Sequence, residues 1–124
     1  MKTIQISDKL VFNESNPHAE PLNVDAQGRV LLYALRPSQV VKEHNAPNSP
    51  VKLFIIKGHG LFAGGDQHES RLGPNTLLIL DPGEDHSIRA LDEDLVFLAF
   101  LHGVPAGQFT PHTEAYQEHV AEVL

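Results

Sequence analysis

Short apolar runs broken by clusters of Gly, Pro, Asn and Asp set the rhythm of this chain. Runs of that length between turn residues read as β-strands. The pattern predicts strands at 3–6, 9–12, 29–35, 40–43, 51–57, 60–63, 69–72, 77–80, 87–90 and 95–101. So many short strands at this spacing predict an all-β sandwich or barrel. Turns are expected at Gln27-Gly28, Gly64-Gly65-Asp66 and Asp81-Pro82-Gly83. The Gly64-Gly65 pair suits a tight hairpin, because glycine accepts positive φ without a Cβ clash. The segment 13–27 carries Pro17, Pro21 and several Asn and Asp, and reads as an irregular arm.

Two parts of the pattern differ. Thr110 can cap a helix with Pro111 at its first position. Tyr116, Val120, Val123 and Leu124 then follow i, i+4, i+7, i+8 spacing, so a short helix is expected at about 111–123, on the outside of the β body. The runs 51–57 and 95–101 are apolar on both alternating faces. One set of side chains fills the barrel; the other, with Phe54, Ile56, Val96, Leu98 and Phe100, needs cover. A second subunit would supply it, so a homodimer is expected; the chain's own arm and helix are the alternative.

Length and charge narrow the partners. With 124 residues the chain suits a single domain, 1–124: a core barrel at about 29–102, N-terminal strands and arm at 1–28, and the C-terminal helix. Nine basic residues and a net charge of -7 disfavour nucleic acid, which needs clustered Lys and Arg. No apolar run reaches membrane-spanning length, and the opening MKTIQISDKL lacks the apolar stretch of a signal peptide. No cysteine is present, which removes thiolate ligands and thiol nucleophiles. The expectation is a cytoplasmic protein that touches neither membrane nor nucleic acid.

The chemistry concentrates in two stretches, "EHNAPNSPVKLFIIKG" at 43–58 and "LGPNTLLILDPGEDHSIRALDEDLVFLAFL" at 72–101. Over residues 29–102 the sequence resembles the cupin superfamily, in particular its small single-domain bacterial members. That resemblance implies a double-stranded β-helix, a jelly-roll barrel. It also implies a divalent ion held by three histidines and a glutamate. His44 and His86 match two of the histidines, and Gly58 and Gly83 match motif glycines. Ser38 and Asn75 stand where the motifs open with glycine, and Asp81 where they have proline. Ala46 falls at the second histidine, Val51 at the glutamate and Ala90 at the closing asparagine.

Two imidazoles without a carboxylate make a poor metal site, since protein sites supply three or four ligands. A Zn, Ni, Fe or Mn ion would need help from His59 or His102, or from water or substrate. Glu43 precedes His44, so strand alternation sends it to the opposite face. His68, beside the hairpin, reads as solvated, as do Glu84-Asp85 in their turn and 92–94 in a hairpin loop.

Three readings stay open. The favoured one is a pocket lined by Ala46, Val51, Leu53 and Ile55 in which neutral His44 and His86 contact a small organic molecule. The alternative is a metal-dependent enzyme of dioxygenase or isomerase type, with both histidines as ligands. In the third, each histidine bonds a neighbouring backbone group and serves structure alone. No G-x-S-x-G occurs, and no residue can be assigned as catalytic.

Overall fold

The computed structural model describes residues 1–103. After one helical turn, α1 (Ile6–Lys9), come nine strands: β1 (His18–Asp25), β2 (Gly28–Leu35), β3 (Val40–His44), β4 (Val51–Lys57), β5 (Gly60–Ala63), β6 (Glu69–Leu72), β7 (Leu77–Leu80), β8 (His86–Ala90) and β9 (Leu95–His102). They form two antiparallel sheets, ordered β1-β2-β9-β4-β7 and β3-β8-β5-β6. The first is called sheet A and the second sheet B. Non-consecutive neighbours in both sheets give the jelly-roll winding that the cupin resemblance implies, within the sandwich or barrel that the strand pattern predicts. The helix expected at about 111–123 lies outside the described residues.

Period-two alternation decides what is inside. Leu31, Tyr33 and Leu35 of β2, Val51, Leu53 and Ile55 of β4, and Leu95, Phe97, Ala99 and Leu101 of β9 belong to one buried cluster. Phe62, Leu80, Ile88 and Ala90 close it from the other strands. The Tyr33 and Phe97 rings stack at 5.1 Å between centroids, and Phe62 meets Phe97 edge-on at 6.1 Å. On the outer face of sheet A, Val96 is buried, whereas Ile56 and Phe100 are 36% and 39% exposed. Leu77 and Ile79 of the edge strand β7 stand further out, at 57% and 58%.

The N-terminal region departs from expectation. No strand forms at 3–6 or 9–12; residues Ile6–Lys9 make a lone helical turn. Ile4, Ile6 and Leu10 line a groove with Ile56 and Val96, so their apolar character serves packing on sheet A rather than a ladder. Conversely, half of the expected irregular arm is strand β1. Its alternation is interrupted by an irregularity between Pro21 and Asn23, which a strand at a sheet edge tolerates. Arg36 fastens the arm: its guanidinium lies 4.2 Å over the Phe12 ring and pairs with Glu14 at 2.9 Å and Asp94 at 3.0 Å.

Four turn positions explain the spacing of the motif residues. Gly58 and Gly83 have φ of 82° and 78°, and Ser38 and Asn75 adopt 69° and 65°. All four lie in the left-handed region that glycine enters freely. The backbone demand persists at Ser38 and Asn75, met by residues with short polar side chains. Among the described residues no helix is long and apolar enough to cross a membrane.

Candidate functional site

His44 and His86 are partners in the β3–β8 ladder, with ring centroids 4.5 Å apart. Simple alternation would not bring them together. Val41 pairs with inward-facing Ile88, so regular alternation from Val41 would turn Glu43 inward and His44 outward. A bulge between Val41 and His44 places one extra residue in β3 and turns His44 onto the inner face. The His44 Nδ1–H donates to the Lys42 carbonyl at 2.6 Å, within the bulge.

The other ring is fixed in the same way. His86 Nδ1–H donates to the Glu84 carbonyl at 3.2 Å. A carbonyl only accepts, so the neutral His86 ring carries its proton on Nδ1 and presents Nε2 as an acceptor. His86 is 2% exposed, and its Nε2 is shielded from solvent with no hydrogen-bond partner. Burial pushes the His86 pKa below its ordinary value of 6.5; the Glu84 carbonyl opposes this and the nearby His44 adds to it.

Across the barrel, one inward row of sheet A runs Arg29–Leu101–Val51–Leu80. The loop from His44 to Val51 and the loop from Leu80 to His86 both join this row to the histidine pair, so the two rows share one mouth of the barrel. Those loops are tied together: the Gly83 N–H donates to the Ala46 carbonyl at 3.0 Å, and Asn45 Nδ2 donates to Asp85 at 2.8 Å. Glu84 joins a third loop, its carboxylate accepting from the N–H groups of Gly65 and Asp81. Asp85 is exposed and Glu84 half-buried in their turn, and both also brace the mouth.

Of the expected pocket residues, Ala46, Val51, Leu53 and Ile55 are 3%, 1%, 0% and 0% exposed and sit in the close-packed cluster. Open space lies beside them instead. A cavity of about 250 Å³ opens between the β6 and β7 edges, with Phe62, Leu72, Leu78 and Leu80 as its apolar wall. Gly64, Asp66, His68, Ser70 and Glu84 supply its polar side. Gly64 stands one position past the Ala63–Ser87 pair, beside His86.

Two further polar groups enter the barrel from β2. Arg29 is 3% exposed and Tyr33 is 3% exposed, on the face shared with Leu31 and Leu35. Arg29 Nε and Nη1 and the Tyr33 hydroxyl have no hydrogen-bond partner among the described residues. Burial drives the Tyr33 pKa far above its usual value, and the charge of Arg29 opposes that rise. Sequence reasoning missed both. The available signal was an arginine in phase with Leu31 and Leu35 in a strand otherwise apolar on that face.

His59 and His102 do not join the pair. His59 precedes Gly60, which pairs with Ala90 at the opposite end of β8 from His86, and its Nδ1 meets Glu93 at 2.9 Å. His102 follows inward Leu101 and is exposed on the outer side. Among the described residues no three His, Asp or Glu side chains group to hold a metal. With carbon at positions 46 and 51, the described residues do not fit an ion held by three or four protein ligands.

Solved structures resemble the whole barrel. A Klebsiella pneumoniae protein with a double-stranded β-helix domain superposes with a TM-score of 0.79 at 17% identity, over 86% of this chain and 94% of that one. An RmlC-like cupin protein from Desulfovibrio desulfuricans gives 0.73 at 15% identity, over 82% and 96%. A cupin superfamily protein from Desulfitobacterium hafniense gives 0.72 at 14% identity, over 83% and 92%. No protein-family model matches the sequence, and no curated protein does. At these identities the likeness concerns the fold.

Proposed function

Starting from a cupin-type double-stranded β-helix, we propose that this chain binds a small organic molecule at the barrel mouth, with His44 and His86 as its polar contacts. One observation carries the reading: His86 Nε2 is a buried acceptor without a partner. Leaving such a group unpaired costs on the order of 1–3 kcal/mol, and a ligand hydroxyl or N–H donated to it recovers that cost. Because the His86 Nδ1–H donates to the Glu84 carbonyl, Nε2 is left as an acceptor and the ligand must be the donor. The neighbouring cavity of about 250 Å³, apolar on one wall, lies at the small end of ligand sites and suits a compact molecule.

The test is calorimetric titration of the untagged protein with small hydroxylated compounds, repeated on His44→Ala and His86→Ala. Metal content of the same preparation is measured alongside. Binding lost in both variants supports the reading. A near-stoichiometric transition metal that disappears in both variants would replace it with the metal-dependent enzyme, whose ligands would be these same two side chains.

A further inference from the structure

Arg29 is the least explained charge in the barrel. A guanidinium stays protonated in proteins, so a cation lies on the inner face of β2, 3% exposed, with Nε and Nη1 unsatisfied. None of the ion pairs among the described residues involves it. Burying an uncompensated charge is among the most costly arrangements a fold can hold. The stacked Tyr33, four residues on and on the same face, adds a second orphaned donor. Both are donors, and both face the interior whose mouth holds the histidine pair.

From this arrangement we propose that the ligand of the barrel is a hydroxy-carboxylate. Its carboxylate accepts from Arg29 and the Tyr33 hydroxyl, and its hydroxyl donates to the His86 imidazole. The assignment rests on the binding reading above and specifies its ligand class. Donors and acceptors then complement throughout: two donors meet an anion, and the histidine acceptor meets a hydroxyl. A carboxylate is favoured over a phosphate monoester because one guanidinium balances one negative charge. A dianion would keep an excess inside a chain already at net charge -7.

The experiment titrates lactate, glycerate and gluconate against lactamide, glycerol and sorbitol, with glycerol phosphate as a further arm. Wild type is expected to prefer each acid over its uncharged counterpart by about ten- to a hundredfold, the range of one charge-assisted hydrogen bond. Arg29→Met should abolish that preference, and Tyr33→Phe, which removes only a hydroxyl, should reduce it severalfold. Arg71→Met, on the exposed side of β6, should leave it unchanged. Equal binding of acids and neutral compounds, or a preference that survives in both Arg29→Met and Tyr33→Phe, overturns the carboxylate assignment. The histidine-based reading survives that result as long as His86→Ala still abolishes binding. Tighter binding of glycerol phosphate also overturns the carboxylate assignment. If no compound of either kind binds wild type, the binding function itself falls.

Discussion

His44 faces His86 because β3 carries one residue more than β8 between Val41 and the pair. The site is therefore specified by strand length as much as by residue identity. Removing Lys42 and Glu43 together places His44 directly after inward-facing Val41 and so points it outward, while the Val41–Ile88 pairing that anchors the strand stays in place. The deletion should abolish ligand binding as fully as His44→Ala, with a far-ultraviolet circular dichroism spectrum close to wild type. Retained binding in the deletion would mean that His44 has no part in the site.

His86 sets the direction of a pH response. Its folded pKa is depressed, chiefly by burial, below the 6.5 of an unfolded imidazole. Such a group contributes stability above the unfolded value, and that contribution is lost as pH falls through 6.5 toward the folded pKa. Thermal midpoints of wild type should drop more steeply below about pH 6.5 than those of His86→Phe. Ligand affinity should fall over the same acidic range, because protonating Nε2 removes the acceptor.

The left-handed turns make a graded prediction. Ser38→Gly should stabilise by roughly 0.5–1 kcal/mol, since strain at φ 69° is relieved against the extra freedom of the unfolded chain. Asn75→Gly should gain less, because Asn tolerates this region better. Gly58→Ala should be strongly destabilising: the added Cβ would collide with the Asp94 carbonyl oxygen. Denaturant midpoints of the three variants test the order.

The outer face of sheet A predicts self-association. Leu77, Ile79, Ile56 and Phe100 are too exposed for a lone monomer surface to hold without cost. Sedimentation velocity should find a dimer, and Ile79→Lys combined with Phe100→Lys should convert it to monomer. A wild-type monomer at micromolar concentration would instead leave the face to other parts of the chain.

Much of the barrel was legible in the sequence. The strands expected from 29 onward appear within a residue of their predicted bounds, because alternation and turn residues agree there. Errors gathered in the first 28 residues, where local signals conflict. Ile4, Ile6 and Leu10 look strand-like yet pack as an arm, and Pro21 hides an edge strand. The histidine pair was legible as a pair, but its cause was not, since a bulge leaves no composition signal. Arg29 stayed hidden because one arginine at the head of an apolar strand is normally a solvated end. The cavity could not be seen at all: it arises where the edges of β6 and β7 part, a distance between strands that no single segment encodes.

Arg29 also bears on how this protein would respond to laboratory evolution. Selection for heat resistance alone, with no ligand present, would reward any apolar side chain that replaces the solitary cation. Position 29 should be among the first to drift under that regime, and should stay arginine when the ligand is supplied. Arginine retained at position 29 only when ligand is supplied would report a barrel that is meant to be filled.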